Sequence, residues 1–288
     1  MLLNSFVGNN NIKESLLGAL TSGRLSHGLL IVGTKGLGVN HFARLLAGDI
    51  IGAKDISQIE EGKSPVVQTI TGEGLSGQIK VEKIRQINDN VNFSSINGEK
   101  RVVIIENCEN FNQNSANALL KNLEEPKDDI TYILTTNDAS AILPTIRSRC
   151  GVYTIFPPSY SEGVPYLEKI SGDKGAIEAL IKIYGMNIGK ITMALKDEKR
   201  YAILQNAIEM FNVIKRKDTY ELTKMCFAYN KKKDDFRLLL QDLTDIADKN
   251  ITAESVNLLT TVQKYQSILK TNAGLNLIIE NFALEAVK

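Results

Sequence analysis

The sequence has few residues of the kinds that build disulfide scaffolds and metal sites. It contains three cysteines, two histidines and no tryptophan, and no two cysteines form a CxxC pair. An odd number of widely spaced cysteines argues against a disulfide framework and is typical of a reducing compartment. Because thiol and imidazole groups are so scarce, we expect no metal site.

Long apolar runs and an excess of charge are also absent. No apolar stretch approaches the roughly 20 residues that span a bilayer, and the start of the chain lacks the basic and apolar regions of a secretion signal. The net charge of the 288 residues is +1, so nothing marks the whole surface as a binder of nucleic acid or membrane. We therefore expect a globular, cytoplasmic protein that does not contact membranes.

The first half of the chain alternates between strand and helix patterns. Apolar strand patterns occur at residues 29–32, 66–70, 102–105, 132–136 and 152–155. Helical spacing occurs over residues 9–22 and 42–51, at Val81, Ile84, Ile87 and Val91, and over residues 116–123. Residues 52–64 and 72–77 predict irregular segments, and Asn97-Gly98 predicts a turn. The alternation predicts an α/β fold with a mainly parallel, doubly wound sheet for residues 1–157.

The second half predicts helices only. Pro157-Pro158 mark a boundary, and residues 161–196 have the pattern of short helices broken by Gly172, Gly175, Gly185 and Gly189. Three apolar stripes follow: Tyr201, Leu204, Ile208 and Phe211; then Phe236, Leu239, Leu240, Leu243 and Ala247; then Leu275, Ile278, Ile279 and Phe282. We predict a small helical lid over residues 158–198 and a separate helical bundle over residues 199–288.

A glycine-rich loop follows the first predicted strand. Gly33, Gly36 and Gly38 lie between this strand and a helix, which is the context of a phosphate-binding loop. In such loops the last glycine is followed by a lysine that reaches the phosphates and a serine or threonine that binds Mg²⁺. Here the two residues are Val39 and Asn40, which supply neither the charge nor the hydroxyl. The loop has the spacing of a nucleotide-binding loop but lacks the side chains that contact the phosphates and Mg²⁺.

A second defect follows the strand at residues 102–105. ATPases with this loop place an aspartate there to hold Mg²⁺ and a glutamate to polarise water, whereas this chain has Glu106 and Asn107. Asn137, at the end of the next strand, would lie beside the γ-phosphate. These residues alone leave two interpretations open: a nucleotide-binding fold that has lost its catalysis, or an unrelated α/β domain whose loop only turns tightly.

Three later segments are more specific. They are NALLKNLEEP at residues 117–126, ILTTN at 133–137 and LPTIRSRC at 143–150. In these segments the chain resembles the clamp-loader branch of the AAA+ family, whose members carry a helix ending in Leu-Glu-Glu-Pro and an Ile-Arg-Ser-Arg-Cys segment. Residues 27–33 are similar to the strand that enters the family's loop, and residues 272–281 are similar to its last collar helix. The similarity is greatest to a subunit type with a defective phosphate loop that does not hydrolyse ATP.

The resemblance implies an AAA+ domain over residues 1–157, a helical lid over 158–198 and a collar over 199–288 through which subunits join. The apolar stripe at residues 275–282 would serve both the collar core and a subunit contact. The implied function is that of a non-catalytic subunit of the DNA polymerase III clamp loader. It would sit beside ATPase subunits and the delta subunit and assist ATP-dependent loading of the sliding clamp onto primer–template DNA. No cofactor of its own is implied, because the neighbouring subunits would bind the ATP.

Two other functions are alternatives to this one. The first is an active, gamma/tau-like ATPase subunit with an unusual site, which Val39, Asn40 and Asn107 argue against. The second is a stand-alone scaffold with no part in replication. The Ser-Arg-Cys segment and the collar-like C-terminal residues argue against that function.

Arg149, in the Ser-Arg-Cys segment, is the residue for which the resemblance implies a catalytic role. The family's arginine projects into the ATP site of a neighbouring subunit as an arginine finger and stabilises charge on the transferred phosphoryl group. Arginine suits this role because its permanently charged fork of donors matches phosphate oxygens. The local sequence alone favours a different interpretation, an ion pair or helix cap within the domain.

Two departures from the family's pattern concern the lid and zinc. ATPase members place in the lid an arginine that reaches the γ-phosphate, and the comparable residue here is Lys190, which could equally be a solvated lysine that opens a helix. The cysteine-bound zinc module of many relatives has no counterpart, because residues 41–101 contain no cysteine and a single histidine, His41. The resemblance thus implies a degenerate, inactive nucleotide site made of Gly33, Gly36, Gly38, Val39, Asn40, Glu106, Asn107, Asn137 and Lys190.

Overall fold

The chain folds into two compact units. A computed structural model describes residues 1–73, 77–89, 99–126, 129–250, 252–269, 271 and 273–287. The first unit is Met1–Gly163 and the second is Val164–Lys288. The boundary lies within one helix, a few residues after the predicted boundary at Pro157-Pro158. The three-part division at residues 157 and 198 stays a prediction.

The first unit contains a five-stranded sheet in which every neighbouring pair of strands is parallel. The strands are β1 (Gly28–Val32), β2 (Val67–Ile70), β3 (Arg101–Ile105), β4 (Ile130–Thr136) and β5 (Gly151–Thr154), and their spatial order is β2-β3-β4-β1-β5. The helices are α1 (Asn10–Thr21), α2 (Val39–Ile51), α3 (Ser57–Glu60), α4 (Val81–Asp89), α5 (Gln113–Glu124) and α6 (Pro144–Arg147). The predicted parallel α/β sheet is confirmed.

Alternating side chains of the central strands explain why helices cover both faces of the sheet. Leu29 and Ile31 of β1 pack in one hydrophobic cluster with Phe42 of α2. Leu30, between them, packs in a second cluster with Leu119 of α5. Because successive residues of a strand point to opposite faces, a strand buried on both sides has a continuous apolar run. The sheet therefore positions α2 and α5 on opposite faces.

The second unit is helical, and no strand follows β5 among the described residues. α7 (Tyr160–Ile170) spans the boundary, and the helices after it are α8 (Lys174–Tyr184), α9 (Ile188–Lys196), α10 (Glu198–Lys215), α11 (Thr219–Phe227), α12 (Lys233–Lys249), α13 (Ala253–Ile268) and α14 (Leu275–Ala286). One hydrophobic core runs from Leu167 to Ala286. At its centre the ring of Phe282 makes edge contacts with Phe236 and Tyr265.

Several local predictions differ from the structure. Gly175 and Gly189 were predicted to break helices, but each is the second residue of a helix, α8 and α9 respectively. Glycine keeps its backbone N–H, so it lowers the helix propensity of the first turn without interrupting the hydrogen-bond pattern. The segment 52–64, predicted to be irregular, contains α3. Tyr201, predicted to lie on an apolar stripe, is exposed. The predictions for Val91, Asn97-Gly98, Asn272 and residues 74–76 lie outside the described residues.

Candidate functional site

The glycine-rich loop joins β1 to α2, as predicted. The backbone N–H of Gly33 donates to the carbonyl oxygen of Thr136 at 3.1 Å, which ties the end of β1 to the end of β4. Gly36 and Gly38 have φ angles of 94° and 79°, which favour glycine because a Cβ would be strained there. Gly38 caps α2, and its carbonyl oxygen accepts the N–H of Phe42 at 2.8 Å. The backbone thus has the strand–loop–helix form of a phosphate-binding loop.

Val39 occupies the position where such loops carry their lysine, and its side chain is buried. It packs in the hydrophobic cluster that contains Phe42 and Ile155. Its Cγ1 would lie 2.8 Å from a Cβ placed on Gly33, so Gly33 has no room for a side chain. A lysine substituted here would have to leave this cluster before it could reach an anion.

Asn40 bridges two polar side chains. Its side-chain amide nitrogen donates to Glu106 Oε2 at 3.2 Å, and its oxygen accepts from Thr135 Oγ1 at 2.6 Å. The other carboxylate oxygen of Glu106 forms an ion pair with the guanidinium of Arg44. Burial raises the pKa of Glu106, and the Arg44 charge partly offsets that rise. The guanidinium of Arg44 thus balances the charge of the Glu106 carboxylate.

A second network joins the ends of β3 and β4. The backbone N–H of Asn107 donates to Thr135 Oγ1 at 3.1 Å. The side-chain amide of Asn137 donates to Asn107 Oδ1 at 3.4 Å and to Glu109 Oε1 at 2.8 Å. Glu109 Oε2 accepts from the Thr136 hydroxyl at 2.9 Å. Thr135 therefore links the residues predicted to form the degenerate site, Asn40, Glu106, Asn107 and Asn137.

Sequence analysis missed Arg44, Glu109 and Thr135. Arg44 could have been found, because it follows Asn40 by one helical turn and so lies on the same face of α2. Thr135 and Glu109 gave no comparable signal. Their roles depend on which strand ends lie side by side in the folded sheet.

Arg149 lies in the turn between α6 and β5 and is engaged within its own unit. Its Nη2 forms an ion pair with Glu124 Oε1 at 2.7 Å, and its Nη1 donates to the carbonyl oxygen of Thr145 at 3.0 Å. The side chains of Arg149 and Glu124 are 36% and 48% exposed. The ion pair within the domain is therefore present in the structure of the single chain. The arginine-finger role concerns a second chain and stays a prediction.

Lys190 lies on α9, in the second unit. Its ammonium contacts both carboxylate oxygens of Asp245, at 2.8 and 2.5 Å, and lies 5.7 Å from the centre of the Tyr184 ring. Burial raises the pKa of Asp245, and the bond from Lys190 offsets part of that rise. Lys190 is thus held by a carboxylate of its own unit, and its membership of a degenerate nucleotide site stays a prediction.

Neither a metal-binding cluster nor a membrane-spanning helix occurs in the part of the chain that the structure describes. The three cysteines are free thiols, and burial raises the pKa of Cys150 to about 11 and that of Cys226 to about 12. His41 Nδ1 lies 3.8 Å from a carboxylate oxygen of Glu60. The expectation that the chain binds neither zinc nor a cofactor of its own stays a prediction.

The sheet, the glycine-rich loop and the polar residues at the strand ends define an AAA+ type α/β domain followed by a helical region. A solved structure with this fold is that of a DNA polymerase III gamma subunit-related protein from Thermotoga maritima. The two align with a TM-score of 0.61 at 19% identity, over 94% of this chain and 98% of that one.

The sequence also matches a family described as DNA polymerase III, delta subunit, over residues 8–159. Because this match covers more than half of the 288 residues, the chain belongs to that family.

Two curated relatives carry the names of different subunits. DNA polymerase III subunit gamma of Buchnera aphidicola subsp. Schizaphis graminum is 29% identical over 79% of this chain and 68% of its own length. DNA polymerase III subunit delta' of Bacillus subtilis is 31% identical over 48% of this chain and 45% of its own length. The match thus spans less than half the length of the second relative. The chain is thus similar to a protein named subunit gamma and to a protein named subunit delta' of DNA polymerase III.

Proposed function

We propose that this chain is a non-catalytic, delta'-type subunit of the DNA polymerase III clamp loader. It assists the ATP-dependent loading of the sliding clamp onto primer–template DNA and supplies Arg149 to the ATP site of a neighbouring subunit. The observation that carries this proposal is the polar network around Glu106. Asn40 and Glu106 stand where the sequence pattern of an ATPase would have its Mg²⁺-binding residues, and here they bond to each other while Glu106 also pairs with Arg44.

The residues at this position do not fit a catalytic Mg²⁺–ATP complex. A metal would have to displace the Arg44 guanidinium from Glu106 and the amide of Asn40 from the same carboxylate. Phosphate would meet no side-chain charge at Val39, which is buried. Asn107 offers no carboxylate to polarise water. These features support a loop that keeps its structural role and no longer takes part in ATP hydrolysis.

The proposed role of Arg149 in trans rests on its chemistry and its exposure. A guanidinium can form two parallel bonds to phosphate oxygens, which gives it geometric specificity as well as charge. Arg149 lies at a turn before the edge strand β5, and its side chain is about one-third exposed. A neighbouring subunit could therefore approach it without unfolding this domain.

An active ATPase subunit is the second candidate. The similarity to subunit gamma over 79% of the chain favours it. The altered residues Val39, Asn40 and Asn107, together with the Arg44–Glu106 ion pair, favour the non-catalytic function.

The partners of the proposed subunit are the clamp-loader ATPase subunits and the delta subunit, with the clamp and DNA reached through the complex. The predicted contact stripe needs a correction, because Ile278, Ile279 and Phe282 are buried in the core of their own unit. Leu277 and Leu284 of α14 are 61% and 52% exposed and lie two helical turns apart. We assign the apolar part of the collar contact to these two leucines.

A chain that ends at Gly163 should fold but should not join the clamp-loader complex. The first unit has its own two hydrophobic clusters, whereas the proposed contact lies on α14. Size-exclusion chromatography with the partner subunits would measure incorporation. The full chain carrying Leu277→Asp and Leu284→Asp is a second variant that keeps every core residue. Incorporation of both variants at the level of the unaltered chain would rule out assembly through the collar.

A further inference from the structure

The guanidinium of Arg149 is held by three groups in the single chain. Nη2 pairs with Glu124 Oε1 at 2.7 Å. Nη1 donates to the carbonyl oxygen of Thr145 at 3.0 Å and contacts Ser148 Oγ at 3.5 Å. Glu124 supplies the only charge among these partners. Nη2 carries two N–H donors, so only one of them is left for a phosphate while the other serves Glu124, and the carboxylate would repel the phosphate charge.

The start of β1 fixes the positions of both members of this pair. A Cβ placed on Gly28 would lie 3.0 Å from the carbonyl oxygen of Arg149 and 3.2 Å from a methyl group of Leu123, so both segments pack directly against its backbone. The ring nitrogen Nε2 of His27 lies 3.1 Å from the carbonyl oxygen of Leu123, which precedes Glu124 at the end of α5. The carboxylate and the guanidinium therefore meet because their backbones are held at the same place.

We propose that Glu124 is a positioning residue for Arg149: it holds the guanidinium in the free chain and gives it up to a nucleotide phosphate when a neighbouring subunit docks. This inference rests on the proposed role of Arg149 in trans. The exchange replaces one anion by another on Nη2, while Thr145 can keep its bond to Nη1. Glu124 thereby restrains a long side chain and screens its charge until a phosphate is present.

The exposure of the pair explains why the exchange can proceed. Ion pairs at a protein surface are weak, because water and salt screen them. A nucleotide phosphate carries more charge than a carboxylate and accepts both donors of the fork. Loss of the Glu124 charge should therefore change the availability of Arg149 by only about two- to fivefold, the range that exposed ion pairs span.

The contact itself can be tested on the full-length free chain with phenylglyoxal, which modifies accessible arginines. We expect Glu124→Gln to raise the modification rate of Arg149 by about two- to fivefold, and added salt to raise the rate of the unaltered chain towards the same value. Glu125→Gln is the matched control, because Glu125 is exposed and forms no ion pair in the described part of the chain. The rate at the exposed Arg147 is the internal standard. Equal Arg149 rates in both variants would overturn the proposal.

The exchange is tested in the assembled clamp loader. At ATP concentrations below saturation, Glu124→Gln should raise hydrolysis at the one site that Arg149 serves by about two- to fivefold. The total rate should rise by less, because the other sites dilute the change, and Glu125→Gln should leave it unchanged. In a chain that also carries Arg149→Ala, Glu124→Gln should have no effect. Suppose that Arg149→Ala lowers hydrolysis but Glu124→Gln has the same rate as Glu125→Gln. The exchange at Glu124 is then refuted, while the arginine-finger role of Arg149 is supported. If Arg149→Ala has no effect, the finger and the exchange both fail, whatever the phenylglyoxal rates.

Discussion

Arg149→Ala should lower the clamp- and DNA-stimulated ATP hydrolysis of the assembled clamp loader several-fold. The finger would stabilise charge on the phosphoryl group in one neighbouring site only. The loss in the total rate is therefore diluted by the other sites and stays well below the roughly 10³-fold minimum for a single finger. Arg149→Lys should restore little activity, since an ammonium keeps the charge but not the bidentate fork. Steady-state hydrolysis and clamp loading by the reconstituted complex would measure both effects.

Assembly must be checked in the same samples, because a lost subunit would also lower the rate. Arg149 is part of a surface ion pair, so its removal should leave folding and incorporation intact. Arg147→Ala is the control, since Arg147 is exposed and lies two residues away. Unaltered rates for Arg149→Ala in a fully assembled complex would refute the finger and leave Arg149 with its contact to Glu124.

Asp242→Ala should destabilise the second unit by about 3–5 kcal/mol, the usual cost of removing one partner of a buried ion pair. Asp242 accepts from Arg200 Nη1 at 2.6 Å and from the Tyr184 hydroxyl at 2.7 Å, and all three side chains are buried. Burial and the Asp242 carboxylate raise the pKa of Tyr184, so its hydroxyl stays protonated and continues to donate. Without Asp242, the Arg200 charge would remain in the core without its hydrogen-bonded carboxylate.

Urea denaturation followed by circular dichroism would measure this loss in the unfolding transition of the second unit. Lys199→Ala is the matched control, because Lys199 precedes Arg200 on α10 and pairs with Asp235 while its side chain is 69% exposed. Removing this exposed charge should cost far less, because water and salt screen an exposed pair. Equal effects of the two substitutions would show that the Arg200–Asp242 pair is not buried in solution.

The architecture of the first unit could be predicted because local patterns agree with it. The β-branched run at residues 102–105 predicted a central strand and became β3, with all its residues buried. Two of the three loop glycines, Gly36 and Gly38, matched positions whose φ angles are positive. The helix α5 ends at Glu124, shortly before Pro126, because proline disfavours a helical conformation at the preceding residue. Each of these signals lies within a few residues of the feature it predicts.

The contacts of the candidate site could not be predicted in the same way. Arg149 meets Glu124 beside the starts of the parallel strands, and Asn40 meets Thr135 beside their ends. Each contact joins segments that are distant in the sequence and adjacent only in the folded sheet. The phosphate-loop and acidic-pair patterns singled out Asn40 and Glu106 as altered positions. They placed Arg44 on the same face of α2 as Asn40 but did not show that it would pair with Glu106. Lys190 likewise matched a lid arginine by position, whereas its partner Asp245 lies on another helix.

ATP hydrolysis by the isolated chain, in the presence of Mg²⁺ and primer–template DNA, is the most direct test of the non-catalytic role. In the network of Asn40, Arg44, Glu106 and Thr135, a metal would have to displace Asn40 and Arg44 from the Glu106 carboxylate. We therefore expect a turnover that equals the background measured with Asn40→Ala and Glu106→Gln variants prepared in the same way. A turnover of about one per second or faster, the lower end for typical enzymes, would contradict the account if either substitution abolished it.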